Sequence, residues 1–240
     1  RVMLGIPIAN VAGVPLVTWM GQAIGWRSAY WFVAVVALGA LAMIAVFVPR
    51  IVQADANSVM QELRAFGSMQ VALTFIAGSI GFGGMFAMYS YVAPLITEVA
   101  GQPERFVPVA LFAFGLGGIV GNTIGGRMSD WSVLRTIVIA SVGMSVVLVV
   151  LALVATWFVA AVLFVFIASL VAAILAVGVM MRLITVANSA KTLGAASAHA
   201  SLNIANAVGA WLGGIVIARG YGYAAPSLVG AVLALGGLVV

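Results

Sequence analysis

The side chains that most often carry out chemistry are scarce in this chain. It contains one histidine, no cysteine and five acidic residues. A serine nucleophile could in principle be activated by His199, which lies near Ser197 and Ser201. However, helical residues two positions apart do not face one another, and no acidic residue lies nearby in the sequence to orient the imidazole. We therefore expect a protein that is not an enzyme and that needs neither a cofactor nor a metal.

Polar residues at helical spacing offer binding chemistry instead. His199, Asn203 and Asn206 recur at i, i+4 and i+7, so a helix would place them on one face, called the polar stripe here. Polar groups inside the membrane are costly and are therefore candidates for function. We predict that the polar stripe lines a substrate cavity, with hydrogen bonding between helices as the alternative. Further cavity candidates on other apolar segments are Asn10, Thr18, Tyr89 and Asn122.

The elements that must position these residues are long apolar segments. Hydrophobic residues make up 65% of the chain and charged residues only 6%, whereas about a quarter of an ordinary soluble domain is charged. A helix of about 20 apolar residues is what the hydrocarbon core of a bilayer requires. Eight such spans are predicted, at roughly 2–22, 29–48, 70–92, 107–126, 134–154, 157–181, 194–217 and 224–240. The predicted fold class is an all-α membrane protein, a bundle of about eight transmembrane helices.

The basic residues indicate how these spans are oriented. Threading the chain through eight spans leaves three basic residues on one side, namely Arg27, Arg105 and Arg219. The other side carries Arg1, Arg50, Arg64, Arg127, Arg135, Arg182 and Lys191. The excess of basic residues marks the cytoplasmic side. The net charge of +5 does not indicate a nucleic-acid partner, because the basic residues are scattered singly between the spans.

Two distant segments share a pattern that predicts the domain organisation. Asn10-x-x-Gly13 in the first span resembles Asn206-x-x-Gly209 in the seventh. If the repeated unit has six helices, the first span is the fifth helix of its unit, and four helices are expected upstream. The absence of an initial methionine agrees with this expectation. We predict two helices of an N-terminal half in 1–48, a cytoplasmic linker in 49–69 and a six-helix C-terminal half in 70–240.

The short connection after the fourth span carries a distinctive motif. In "GGRMSDWSVLR" the relevant residues are Gly126, Arg127, Asp130 and Arg135. This segment resembles the cytoplasmic Gly-x-x-x-Asp-(Arg)-x-x-x-Arg loop between helices 8 and 9 of the major facilitator superfamily, with Trp131 in place of the usual arginine after the aspartate. The resemblance implies a gating loop in which Asp130, with Arg127 or Arg135, latches neighbouring helix ends. The alternative is a solvated surface pair, which would contribute little to stability.

Two further segments resemble the drug:proton antiporter and sugar-efflux branch of the same family. "GVPLVTWMGQAIGWRSAYWF" is similar to the helix-5 antiporter motif through Gly13, Pro15, Gly21 and Gly25. The segment 201–223 is similar to helix 11 of sugar-efflux and chloramphenicol exporters. The resemblance implies helices 5–12 of a twelve-helix plan in a multi-pass inner-membrane protein.

That resemblance also implies a function. We expect a monomeric secondary transporter that exports a small molecule, a drug or a sugar, in exchange for protons by alternating access. No carboxylate lies deep within a span, so the sequence does not locate a proton carrier. A channel or a non-transporting membrane scaffold is the alternative.

Small and soft side chains complete the sequence-based predictions. Gly117, Gly121 and Gly125 lie on one helix face and predict close packing against a neighbour. In the first span, Pro15 predicts a weakened helix, and its glycines predict close approach to another helix. A group on the third span predicts either an adaptable wall for apolar substrates or a lipid-facing surface. Its members are Phe82, Met85, Phe86 and Met88.

Overall fold

The computed structural model describes residues 9–47, 69–187 and 191–239, and all regular structure within these ranges is helical. The eight main helices are α1 (Val14–Ala23), α2 (Trp26–Phe47), α3 (Met69–Tyr89), α4 (Val107–Trp131), α5 (Val133–Val154), α6 (Phe158–Val186), α7 (Lys191–Ala218) and α8 (Ala225–Val239). Shorter helical turns occupy Ala9–Gly13, Val92–Pro94, Leu95–Val99 and Glu104–Phe106. The predicted all-α bundle is confirmed.

Each main helix coincides with one predicted span. Helices α2 to α7 are long and apolar enough to cross a membrane, whereas α8 has 15 residues. Residues 2–8 of the first predicted span lie outside the described residues, as does the predicted linker up to residue 68.

Several helices continue beyond the end of their apolar segment. The fourth span was predicted to end at residue 126, but α4 continues to Trp131 and includes Asp130. The sixth was predicted to end at residue 181, but α6 continues to Val186 and includes Arg182. A charged residue marks the end of the segment that can lie in the hydrocarbon core, but it does not interrupt the backbone hydrogen bonds of the helix. Hydropathy therefore indicates where a helix leaves the membrane core rather than where it stops.

Helix α3 is central among the described helices. It packs on α6, α7 and α8, while α5 packs on α6 and α8. Helix α4 packs mainly on α6, and α1 packs on α2 and α4. Two hydrophobic clusters fill the space between these helices. One is built around Met144, Leu148 and Leu151, and the other around Leu175 and Leu183.

The α4 and α6 backbones meet along a line called the glycine seam here. A Cβ atom built on Gly117 or Gly121 would overlap the carbonyl oxygen of Phe166 or Leu170, respectively. One built on Gly125 would lie 2.9 Å from the Cα of Ile174. The predicted close packing of this face is therefore confirmed, because only glycine leaves room for the neighbouring backbone.

Glycines also join α3 to its two main neighbours. A Cβ on Gly209 of α7 would overlap the carbonyl oxygen of Gly83, and one on Gly230 of α8 would overlap that of Gly84. Close backbone approach is a common way to associate helices in lipid, where burying apolar surface gives no advantage over contact with acyl chains. Glycine contacts thus join α3 to α7 and to α8, as they join α4 to α6.

The aromatic and methionine side chains of α3 do not form the surface that was predicted. Phe82 and Met88 are each only 2% exposed. Met85 and Phe86 are partly buried and pack against the two hydrophobic clusters. Both predicted alternatives, an adaptable substrate wall and a lipid-facing surface, are therefore wrong for Phe82 and Met88. The second half of α3, from Gly78 to Tyr89, is apolar on all sides because neighbours pack around it, so its composition does not reveal which way a side chain points.

Candidate functional site

The polar stripe of α7 faces away from the helices that pack against α7. His199, Asn203 and Asn206 are all exposed. The opposite face carries Ala205, which is buried, and Gly209, which meets the backbone of α3. The structure therefore places three polar side chains together on an accessible face, as the i, i+4, i+7 spacing predicted. Their role in substrate binding stays a prediction.

Asn122 lies on a second accessible helix face. It is exposed on α4, although its neighbour Gly121 is buried in the glycine seam. Helix α6 packs on both α4 and α7, so the helices that carry Asn122 and the polar stripe flank α6.

Helix α1 begins where the sequence predicted a weakened helix. Residues Ala9–Gly13, which include the backbone of Asn10, form a π-helical turn, and Pro15 is the second residue of α1. Proline has no N–H to donate to residue i−4 and its ring crowds that carbonyl, which favours a change of helical geometry at this point. The hydroxyl of Thr18 donates to the carbonyl oxygen of Val14 at 2.8 Å, so this cavity candidate is satisfied within its own helix.

The glycines of α1 do not bring it close to another helix in the described part of the chain. No heavy atom lies within 4 Å of a Cβ built on Gly21, and the nearest atom to one built on Gly13 is the Cβ of Ala9, at 3.9 Å. The predicted close approach is therefore not formed with the described residues. Helix α1 is instead linked at its other end, where the Gln22 side-chain amide donates to the carbonyl oxygen of Glu104 at 2.9 Å.

Glycines in the left-handed conformation follow both repeated segments. Gly25 follows α1 with φ of 104°, and Gly220 follows α7 with φ of 84°. At α7 the N–H groups of Gly220 and Tyr221 donate to the carbonyls of Ile217 and Val216, which is the hydrogen-bond pattern of a Schellman cap. The two segments therefore share a glycine turn as well as a sequence pattern.

Two tyrosines at the end of α3 contact neighbouring helices. Tyr89, predicted to line the cavity, is half-buried and packs on Phe114 with ring centroids 4.5 Å apart. The hydroxyl of Tyr91 donates to the carbonyl oxygen of Ala210 at 2.8 Å, and its ring lies against Gly213. The sequence does not reveal this partner, because only the tertiary structure brings Ala210 and Gly213 of α7 against Tyr91.

The predicted gating loop is a sharp turn between α4 and α5. The side-chain oxygen of Ser132 accepts a hydrogen bond from the backbone N–H of Arg135 at 3.4 Å and caps α5. Arg127, Asp130 and Arg135 are all exposed. The guanidinium carbon of Arg135 lies 5.1 Å from the centroid of the Trp131 ring, so its favourable contact is a cation–π interaction.

The ion pair proposed for this loop is not formed in the described part of the chain. No carboxylate oxygen of Asp130 lies within the 4.0 Å distance that defines an ion pair with Arg127 or Arg135. The replacement of the usual arginine by Trp131 gives a physical reason, since the ring provides Arg135 with another partner. Gly126 is not crowded either, because nothing lies within 4 Å of its built Cβ. The latch role of Asp130 stays a prediction.

Comparison with known proteins gives the family context. A family model described as Major Facilitator Superfamily matches residues 1–198. The inner membrane transport protein YdhP of Escherichia coli (strain K12) is 31% identical over 234 residues, covering 96% of this chain and 59% of that protein. A chloramphenicol resistance protein of Streptomyces lividans is 31% identical over 209 residues, covering 85% and 53%. A Pasteurella multocida protein named "Probable sugar efflux transporter" is 27% identical over 239 residues, covering 98% and 58%.

These matches agree with the resemblance drawn from the motifs. The chain spans 59% of the length of YdhP. The family model and YdhP point to membrane transport proteins rather than to enzymes, and several apolar helices make the chain a multi-pass membrane protein.

Proposed function

The chain belongs to the major facilitator superfamily, and from this premise we propose that it forms part of a secondary active transporter. The protein would export a small molecule across the inner membrane by alternating access, coupled to protons. The observation that carries the proposal is the polar stripe of α7, which stays accessible on a helix whose other face is tightly packed. An accessible polar face on a membrane helix is costly in lipid, so it is better explained by a water-filled cavity.

The arrangement of the helices supports a division into two halves. We propose that residues 1–48 belong to an N-terminal half and residues 70–240 to a C-terminal half, joined by the cytoplasmic linker 49–69. Within the described residues, α3 to α8 pack on one another, partly through glycine contacts. By contrast, α1 packs on α4, and no glycine of α1 meets a helix backbone there. The boundary between α1 and α4 is therefore the proposed interface between the halves.

The chemistry of the candidate cavity suits an uncharged polar or aromatic substrate. Asn122, Asn203 and Asn206 offer amide donors and acceptors, and His199 adds an imidazole. Among the described membrane helices, carboxylates lie only near the ends, as with Asp130 in the last turn of α4. A chloramphenicol-like drug or a sugar can be bound through hydroxyl and amide groups without an opposite charge. The names of two relatives point to the same two classes.

A counterflow assay tests the proposal. Full-length protein in proteoliposomes would be loaded with unlabelled chloramphenicol or arabinose, and the entry of the same labelled compound measured. We expect transient accumulation of one of them, saturation with concentration, and accumulation driven by an inside-acidic pH gradient. Loss of the gradient-driven signal with a protonophore would support proton coupling.

The same assay separates the alternatives. A channel would let the labelled compound equilibrate without saturation or transient accumulation, and a scaffold would behave like empty liposomes. Saturable counterflow that does not respond to the pH gradient would contradict proton coupling while leaving the carrier assignment in place. Failure of both compounds to show counterflow would remove the drug and sugar assignment.

Cysteine accessibility tests the placement of the polar stripe. Because these 240 residues include no cysteine, Asn203→Cys and Asn206→Cys each introduce the one thiol of this part of the protein. We expect both to react with a water-soluble thiol reagent at least about ten times faster than a thiol in lipid, where the reactive thiolate is not formed. Labelling rates in intact proteoliposomes would be measured by mass spectrometry.

Two matched controls define what the labelling means. Ala205→Cys lies on the buried face of the same helix, at 0% exposure, and should react slowly. Val232→Cys, at an α8 position that is 71% exposed, represents a surface facing lipid. If the Asn203→Cys and Asn206→Cys thiols react no faster than this lipid control, the polar stripe does not line an aqueous cavity.

A further inference from the structure

A groove opens at the end of the bundle where α3 and α5 begin and where α6 and α8 end. Its volume is about 320 Å³. On α3 its wall runs from Gln70 to Ala77, and on α5 from Leu134 to Ser141, both at i, i+3, i+4, i+7 spacing. Seven residues of helix rise about 10 Å. The groove is therefore a slot that runs along the helices, and no residue of α7 or of its polar stripe lines it.

The two ends of this groove differ in polarity. Gln70 and the half-buried Arg182 lie at the mouth, next to the helix ends. Deeper in the groove the lining is mostly apolar, with Ala77, Leu175 and Val179, and Ser141 is its polar residue. The hydroxyl of Thr74 donates to the carbonyl of Gln70 at 2.7 Å and is thus already satisfied. The groove therefore presents a guanidinium and an amide above a slot lined mostly by apolar side chains.

The charge around the mouth is positive. Among the described residues, no carboxylate lines the groove, and no ion pair to Arg182 is formed. Arg135 lies one residue beyond the groove-lining Leu134 and adds a second guanidinium at the same end of the bundle. By the positive-inside rule this end faces the cytoplasm. The inner leaflet there carries anionic lipids, which are attracted to arginines near the membrane surface.

We propose that this groove binds one anionic phospholipid of the cytoplasmic leaflet. The lipid phosphate would accept hydrogen bonds from the guanidinium of Arg182, whose planar fork matches phosphate oxygens. One acyl chain would lie in the slot between α3 and α5, where it replaces bulk lipid against apolar side chains. The proposal does not depend on the transport function, because the groove and the polar stripe are formed by different helices.

Native mass spectrometry of the purified full-length protein tests the lipid site. The protein would be titrated with phosphatidylglycerol and, separately, with phosphatidylethanolamine of the same acyl chains. We expect one phosphatidylglycerol to bind about five to ten times more tightly than phosphatidylethanolamine. Arg182→Gln should weaken the binding of phosphatidylglycerol and reduce this preference. Phosphatidylethanolamine also presents a phosphate, but its ammonium group offsets the negative charge, so its already weak binding should fall less.

Two further variants separate headgroup recognition from general charge and from folding. Arg219→Gln removes an exposed arginine at the opposite end of the bundle and should bind both lipids as the parent does. Val138→Trp should block the slot without changing any charge, since Val138 lines the groove and is 49% exposed, so that a larger side chain is tolerated. If Arg182→Gln does not fold, the binding of phosphatidylglycerol to Val138→Trp tests the lipid site by itself.

Three results would overturn the proposal. The first is unchanged phosphatidylglycerol affinity in a folded Arg182→Gln variant or in Val138→Trp. The second is equal affinity of the parent protein for the two lipids. The third is displacement of phosphatidylglycerol by an excess of inorganic phosphate, which would indicate a site for a free anion.

Discussion

A Gly121→Ala variant should unfold at a temperature about 5–10 °C below that of the parent protein. The added methyl group would overlap the carbonyl oxygen of Leu170 and lie 2.8 Å from the Cβ of Ala173. Neither is the end of a flexible side chain, so the α4 and α6 backbones must separate along the glycine seam. The apparent melting temperature of the purified full-length protein in detergent measures the effect. A Gly121→Leu variant should not give a folded, monodisperse protein.

Gly126→Ala is the matched control for this prediction. It lies on the same helix, five residues further on, with nothing within 4 Å of its built Cβ. Alanine favours a helix over glycine by about 0.5–1 kcal/mol, so Gly126→Ala should melt at the parent temperature or slightly above it. The two variants thus make the same chemical change with opposite expected signs. Equal melting temperatures for both would contradict the close contact of α4 with α6.

An Asp130→Asn variant should fold normally but transport at least about ten times more slowly than the parent, the change expected from losing a typical coupling between states. Asp130 is exposed in the last turn of α4, where a negative charge opposes the helix dipole, so its removal should not reduce stability. A residue placed against its local preference is better explained by a contact formed in another conformational state. Initial rates in proteoliposomes and the melting temperature, measured on the same preparation, test both parts of the prediction.

The controls for Asp130 separate the position of the charge from its presence. Asp130→Glu keeps the negative charge and should retain most of the transport rate. Glu98→Gln removes an exposed carboxylate outside this loop and should transport as the parent does. Normal transport by a well-folded Asp130→Asn variant would remove the latch assignment and leave Asp130 as a solvated surface residue.

The features that the sequence predicted correctly depend on local spacing. A membrane helix needs a long apolar run, so each predicted span coincides with a helix in the structure. Gly117, Gly121 and Gly125 repeat every four residues, and this spacing alone places them on one face. The i, i+4, i+7 spacing likewise places His199 and the two asparagines of the polar stripe on one face. In each case the periodicity of one helix is enough to predict which residues share a face.

The features that could not be predicted depend on which helices meet. Nothing in the spacing of Phe82 and Met88 distinguishes the interior of the bundle from a lipid-facing surface, because both environments are apolar. Asp130 was predicted to pair with Arg127 or Arg135, but the favourable contact that Arg135 makes is with the Trp131 ring. Arg182 was predicted only to follow a span on the cytoplasmic side, and nothing in its sequence indicated that it lines a groove formed by four helices. Such contacts are set by tertiary packing, and the residue pattern of one helix does not indicate them.

The glycine seam also determines how stiff different parts of the molecule are. Where the α4 and α6 backbones touch, no layer of side chains separates them. A displacement of α4 should therefore displace α6 by nearly the same distance. Helix α1 has no such backbone contact with α4 through Gly13 or Gly21. Its side chains can change rotamer and so absorb small displacements. We therefore expect the α4–α6 pair to move as one rigid unit and the α1–α4 boundary to deform more easily.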